Sequence, residues 1–377
     1  MSARTMLSAA VMAHPRRSVA VARLRQQLPG LNVALDPRPD GPPTSVRSAA
    51  IAWGAVAPVA THHLVLEDDA LPCTDLLDGC TALAQRFPAA AVALFVNDSA
   101  RTAAVARMAV WSGRDVAPVI DIYVPTQGLI LPAETARGLA AFLSAHDDLA
   151  EAGDIATLRY LCAEGIAVLV AVPNLVDHDD LSSIIGNDDH GRRGSACYLG
   201  HRSDAGTCRQ LELPEIIPYL SESTTRSILT STPAADRSFR GRTADLLAVR
   251  PLPNDLARRS EAAGLPPAVP GRPVYELWVT AVASGMLLTG GGHCGPDEVR
   301  RHAATPAGRA AAASMAPGGL DRSVPRSLLA NEAGLLTDIV LHGVTVGADA
   351  GVTRRWPTAS DLLSTVAPQR REAAAPR

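Results

Sequence analysis

Leu64-Val65-Leu66-Glu67-Asp68-Asp69 places three consecutive acids directly after an apolar run. Hard oxygen ligands in that position suit Mg2+ or Mn2+, which accept one or two protein carboxylates and keep other positions for water or phosphate oxygens. A cation held there would stabilise a diphosphate leaving group as a sugar–phosphate bond breaks. A solvated acidic turn after a strand is the alternative reading, and the motif is too short to decide by itself.

Other groups matter only if the chain carries them to the same place, so the elements come next. Residues 6–13 read as a buried strand broken by His14-Pro15, and residues 16–28 place Val19, Ala20, Leu24 and Leu28 at helical spacing. Residues 31–35 form a second strand ending at Asp36, 45–56 a helix containing Arg47, and 63–66 the strand that runs into the acids. A helix at 75–87 and strands at 90–96 and 119–124 follow, then an extended segment at 127–131 that begins with Gln127-Gly128. Helices at 133–145 and 154–163, a strand at 167–172 and a polar loop at 173–189 complete the pattern. Strand–helix alternation of this kind predicts an α/β fold with a mostly parallel sheet and helices on both faces. Such sheets gather ligands at the carboxyl ends of their strands, the address shared by His14, Asp36 and the acid run.

Three blocks in this order resemble the A-type (GT-A fold) glycosyltransferases, over about residues 6–190. The first runs from Val11-Met12-Ala13-His14-Pro15 through Ser45-Val46-Arg47 to Glu67-Asp68-Asp69; the second is Thr126-Gln127-Gly128 followed by Glu151-Ala152-Gly153-Asp154; the third is Val172-Pro173-Asn174 leading to Asp177-His178-Asp179. The resemblance implies a Rossmann-like GT-A sheet and transfer from a nucleotide-sugar donor, with inversion at the sugar. It implies Asp69 as direct metal ligand, Glu67 assisting through the ribose or a metal-bound water, and His178 completing the shell. Imidazole favours manganese over magnesium. His14, Pro15, Asp36, Arg47 and Asp68 would then hold the donor, and Gln127 and Gly128 would face the acceptor. Inverting transfer also needs a carboxylate to take the acceptor proton. Asp154 is the expected base and Glu151 its substitute, although Asp154 also suits a helix N-cap. Trp53 stands where many relatives carry Asn.

Beyond residue 195 the alternation stops, and residues 214–229, 274–288 and 326–341 show helical spacing. A helical acceptor-binding or oligomerisation region is expected over 196–367, with a disordered tail at 368–377 and a homodimer as one possible assembly. Ser221-Glu222-Ser223-Thr224-Thr225-Arg226 falls within one of those predicted helices, where its hydroxyls could touch an acceptor. His190, Cys197, His201 and Cys208 lack the short paired spacing of a structural zinc site. Gly290-Gly291-Gly292-His293-Cys294-Gly295 reads as a connector.

Composition narrows the partners. The 377 residues contain no lysine, which excludes a Walker-type phosphate loop and a lysine Schiff base. A net charge of −3 and few aromatic residues argue against nucleic acid. Residues 1–12 have too short an apolar run for a convincing signal peptide, and residues 274–288 fall short of the roughly 20 residues that span a membrane. Six cysteines without a CxxC pair fit reduced thiols, so a cytoplasmic enzyme with a soluble small-molecule or peptide acceptor is expected. A sugar-phosphate nucleotidyltransferase is the enzymatic rival, but its usual Gly-rich loop and lysine are missing near residues 6–20. A degenerate nucleotide-sugar-binding scaffold is the non-enzymatic one.

Overall fold

An apolar strand flanked by amphipathic helices must bury both of its faces, and that requirement organises the amino-terminal part of the chain. The computed structural model describes residues 5–145, 151–179, 181, 182, 184, 186, 193–202 and 209–372. Its first strands are β1 (Leu7–Ala13), β2 (Asn32–Leu35), β3 (His62–Glu67), β4 (Ala70–Pro72), β5 (Ala91–Ala93), β6 (Val116–Pro118), β7 (Gly128–Pro132), β8 (Val168–Ala171) and β9 (Val176–His178). Seven of them form one sheet in the order β2-β1-β3-β7-β5-β8-β6. Parallel pairing joins β1 to β2 and β3, and β5 to β8. However, β7 runs antiparallel to β3 and β5, and β6 antiparallel to β8, so the sheet is mixed. Residues 119–124, expected as a strand, lie outside any strand; the edge strand forms just before them, at Val116–Pro118.

The helices of this part are α1 (Ser18–Gln27), α2 (Val46–Gly54), α3 (Leu76–Arg86), α5 (Ala133–Ser144) and α6 (Gly153–Ala163), with α4 (Arg101–Trp111) lying between α3 and α5 in sequence. Side chains of a strand alternate between faces. Leu64 and Leu66 of β3 therefore join one core with Leu24 of α1 and Leu76, Cys80 and Leu83 of α3. His63 points to the opposite face, where its ring bonds the Ala52 carbonyl of α2, and α2 packs against α5. Each fully buried leucine contributes about 2 kcal/mol of transfer free energy. The sheet is thus clamped, and the positions of its strand ends are fixed.

The chain forms two compact units: Met1–Asn97 with Asp115–Cys208, and Asp98–Arg114 with Arg209–Arg377. The second contains a three-stranded antiparallel sheet of β10 (Ile216–Ser221), β11 (Arg226–Ser231) and β12 (Arg240–Arg242). This corrects the helix expected at 214–229. Helical spacing in that stretch was a coincidence of two short apolar runs, and residues 222–225 form the hairpin turn between them, with Thr225 at φ 51°. Buried Glu276 anchors the hairpin to a long helix by accepting hydrogen bonds from Arg226 (3.0 Å), Arg242 (3.2 Å) and the Ser227 backbone (2.9 Å).

That long helix, Pro273–Gly290, lies against Ala333–Gly351 at backbone contact distance. A Cβ at Gly347 would fall 2.0 Å from the Val282 carbonyl oxygen, and one at Gly285 the same distance from that of Val344. The helix expected at 326–341 is two helices, Arg326–Asn331 and Ala333–Gly351. Of the tail expected to be disordered, residues up to Glu372 belong to the helix Ala359–Glu372, and 373–377 lie outside the described residues. Among the described residues no helix is long and apolar enough to cross a membrane. The described cysteines Cys73, Cys80, Cys162, Cys197 and Cys294 form no disulfide. Two members of the His/Cys set considered for zinc, His190 and Cys208, lie outside the described residues.

Candidate functional site

The carboxyl end of β3 delivers Glu67 and turns through Asp68 and Asp69 into β4. Pairing of β4 with β9 sets Ala70 opposite His178, and the Asp179 N–H extends the ladder to the Asp69 carbonyl at 2.8 Å. In consequence the Asp69 and His178 side chains meet, with His178 Nε2 at 3.5 Å from Asp69 Oδ2, both largely buried. Phe95 lies against the imidazole, its ring centroid 6.1 Å away.

Arg17 enters from the turn Pro15–Arg17 that precedes α1. Its Nη2 lies 3.9 Å from Asp69 Oδ2 and donates to the Ser182 carbonyl at 2.7 Å. Asp69 Oδ1 and Arg17 Nη1 are both buried and have no hydrogen-bond partner among the described residues. An acceptor and a donor left short at one place are unusual, because a buried polar atom without a partner loses its hydration for nothing.

The other two acids are held differently. Asp68 Oδ2 accepts the His14 backbone N–H at 2.9 Å. Glu67 Oε1 accepts the Thr126 hydroxyl, and the Glu67 N–H donates to the Gln127 carbonyl at 3.2 Å. Burial pushes the Glu67 carboxyl up to about 8, the charge of Asp69 adds to the rise, the Thr126 bond opposes it, and Asp154 and Asp68 contribute further repulsion. Asp68 rises to about 6, again chiefly from burial, with the His14 N–H opposing. The turn is an electrostatically crowded place that a cation would relieve.

A second cluster sits at the end of β2. Arg47 grips Asp36 with two bonds, Nε to Oδ1 and Nη2 to Oδ2, each 2.8 Å, and both side chains are 8 % exposed. The Arg47 guanidinium holds the Asp36 carboxyl below the usual carboxylate range. Arg47 also donates to the carbonyls of Pro42 (2.9 Å) and Arg38 (3.1 Å), so most of its N–H groups shape the loop at 36–43. His14 ties this loop to the acid turn. Its Nδ1 accepts the Arg16 N–H at 3.2 Å, which leaves the ring proton on Nε2 to face the Pro39 carbonyl at 3.4 Å.

Of the two candidate bases, Asp154 in the first turn of α6 is near enough to raise the Glu67 pKa, and its Oδ1 accepts the Ile155 N–H at 2.8 Å. Glu151 is bound to Arg159 by a bidentate pair, 2.7 and 3.2 Å. Gly128 lies buried in β7. A Cβ there would meet Val176 at 3.0 Å and Leu66 at 3.2 Å, which explains a glycine by packing and leaves it no side chain to offer a ligand.

The structure therefore brings together His14, Glu67, Asp68, Asp69 and His178, places the Gln127 backbone beside Glu67, leaves Asp154 to act on Glu67 only through its charge, and joins Asp36 to Arg47 one strand away. Arg17 was missed by sequence reasoning, and Thr126, quoted in the second block, was given no role of its own. A signal for Arg17 existed, since a cation just ahead of a helix N-terminus opposes the helix dipole and asks for an anion nearby. Among the described residues no group of three or more His, Cys, Asp or Glu side chains is arranged to hold a metal ion, so Asp69 and His178 stand as a pair. Comparison of the chain with protein-family profiles gives no match, and comparison with curated protein sequences gives none either.

Proposed function

We propose that the first unit transfers a sugar from a nucleotide-sugar donor to an acceptor hydroxyl with the help of Mn2+ or Mg2+. The observation that carries this reading is the Asp69–His178 pair at the tip of β3, beside a buried carboxylate oxygen and a buried guanidinium nitrogen that both lack partners among the described residues. One carboxylate and one imidazole are few ligands for a cage, yet they suit an ion that takes its remaining oxygens from a diphosphate. When bound, the cation would neutralise the charge that gathers on the diphosphate as the sugar–phosphate bond breaks.

The protein's own groups supply the rest. Arg17 offers its unused Nη1–H to a phosphate oxygen, a charge-assisted bond that strengthens as charge develops. The Asp36–Arg47 clamp holds the loop at 36–43 as a wall for the nucleoside, and Asp68 steadies the His14-Pro15 turn that borders it. Asp154 accepts the proton of the acceptor hydroxyl as that oxygen bonds to the anomeric carbon, and the nucleoside diphosphate leaves from the opposite face. A natural product or a peptide, presented in solution, is the proposed acceptor.

Thermal unfolding with UDP, GDP and dTDP, each with and without Mn2+, tests the reading first. A ligand that binds only the folded state raises the melting temperature, and one nucleotide is expected to do so only when the metal is present. Asp154→Asn should keep that shift while lowering transfer by about 10²–10⁴-fold. If no nucleoside diphosphate shifts the transition with either metal, the reading fails. Binding without cleavage of any donor would replace it with a nucleotide-sugar-binding scaffold.

A further inference from the structure

The second unit has a recess of its own, about 310 Å3, lined by Ser99, Arg101, Tyr219, Ser221, Glu222, Ser223, Thr230 and Arg240. Its floor is one face of the three-stranded sheet. The register sets Thr230 opposite both Ile217 and Arg240, so Thr230, Arg240, Tyr219 and Ser221 project to the same side. Sheet faces packed inside a domain are normally apolar, and this one is not.

Its polar residues make few bonds within the protein, and Arg240 and Ser223 are exposed at the rim. Tyr219, Ser221 and Thr230 are 8 %, 3 % and 8 % exposed. Thr230 reaches only the Phe239 carbonyl, at 3.5 Å, and Ser221 shares a 3.2 Å contact with Ser223. Nothing among the described residues hydrogen-bonds the Tyr219 hydroxyl or pairs with the Arg240 guanidinium. Glu222, the one acid of the lining, is engaged by Arg322 at 3.0 Å, which leaves the Arg240 guanidinium without an acid of the lining to pair with. A concave site with convergent hydroxyls and a cationic side chain suits a polar, anionic ligand.

We propose that this recess binds a small polyhydroxylated phosphate monoester, of the size of a hexose phosphate. The hydroxyls of Tyr219, Ser221, Ser223 and Thr230 match a ring of sugar hydroxyls, each side able to donate or accept. Arg240, with Arg101 on the same lining, matches a doubly charged phosphate through paired N–H groups. The assignment is independent of the reaction proposed for the first unit.

Calorimetric titration of the full chain with glucose 6-phosphate, inorganic phosphate and glucose tests it. The sugar phosphate should bind at one site per chain and at least about tenfold more tightly than either fragment, because hydroxyl and phosphate contacts act together. Arg240→Gln should weaken it by about tenfold or more, the worth of one charge-assisted bond. Tyr219→Phe, which keeps the ring and removes only the hydroxyl, should weaken it by about threefold to tenfold without moving the melting temperature. Asp69→Asn, in the other unit, should leave the affinity unchanged. Absence of binding at millimolar sugar phosphate overturns the proposal. So does binding that survives both Arg240→Gln and Tyr219→Phe, or that is lost in Asp69→Asn.

Discussion

Strand β3 carries polar side chains at both ends, and the two ends treat them in opposite ways. At the amino end His63 is wholly buried, yet both ring nitrogens are served: Nε2–H donates to the Ala52 carbonyl at 2.9 Å and Nδ1 accepts the Ser8 hydroxyl at 2.7 Å. Its neighbour His62 faces the Pro88 carbonyl at 3.1 Å and the Thr61 hydroxyl at 3.1 Å. At the carboxyl end three acids crowd together, and Asp69 Oδ1 and Arg17 Nη1 remain without partners among the described residues. A satisfied network fixes one conformation, whereas an incomplete one stores unfavourable free energy that an arriving ion or ligand can release. Polarity in the interior is therefore common to both ends, and what separates them is whether the hydrogen bonding is complete.

The contrast is most directly broken by exchanging one group at each end. Asp69→Asn strikes the incomplete end, and sugar transfer should fall by about 10²–10³-fold, the usual effect of removing a group that stabilises developing charge. Its midpoint of unfolding should stay level or rise, because one of three crowded charges is gone. Full turnover in a product assay would remove Asp69 from the mechanism. His63→Ala strikes the satisfied end and should do the reverse. Stability should drop by about 2–4 kcal/mol, from a cavity and from the stranded Ser8 and Ala52 groups, as read from urea midpoints, while turnover per folded molecule persists.

Acidity separates the two ends by sign. Burial lowers the pKa of both His62 and His63 below the ordinary 6.5. Between the lowered folded value and 6.5 the unfolded chain binds protons more readily than the folded one, so this contribution is complete above about 6.5 and is lost as pH falls below it. Urea midpoints at about pH 7.5 and 5.5 should show the loss in the native chain, and His63→Ala should flatten the profile. Glu67 and Asp68, raised to about 8 and about 6, act in the other direction: their contribution is present at low pH and lost as pH rises through those values.

The smallest expected effect concerns the acid end alone. Thr126→Val removes the hydrogen bond that pulls the Glu67 pKa down, so the carboxyl should titrate higher still, with a change in its free energy of about 1 kcal/mol. Carboxyl-carbon NMR titration reads this directly, and an unchanged curve would show that Thr126 does not act on Glu67.

Local pattern made a good part of this legible. Apolar runs ending in His14, Asp36 and Glu67-Asp68-Asp69 identified three strand ends that do lie side by side, because hydrophobic alternation reports burial and the carboxyl ends of parallel strands coincide. The helix observed at Pro273–Gly290 was equally visible. Strand direction was not, since a period of two is the same for β7 running against β3 as with it. Nor was the hairpin of Ile216–Ser221 and Arg226–Ser231, because its turn is built from Glu222, Ser223, Thr224 and Thr225, with no glycine or asparagine to announce it.

The chemical groups, and the ends of the elements that bear them, follow from the order of residues along the chain: the acids after an apolar strand, the histidine before a turn, an aspartate at the start of a helix. Which of them meet follows from the folded molecule. Asp69 reaches His178 because β4 pairs with β9, and Arg17 reaches Ser182 across 165 positions of chain. Those encounters depend on how the two faces of a mixed sheet are covered, a long-range consequence of packing that no local periodicity records.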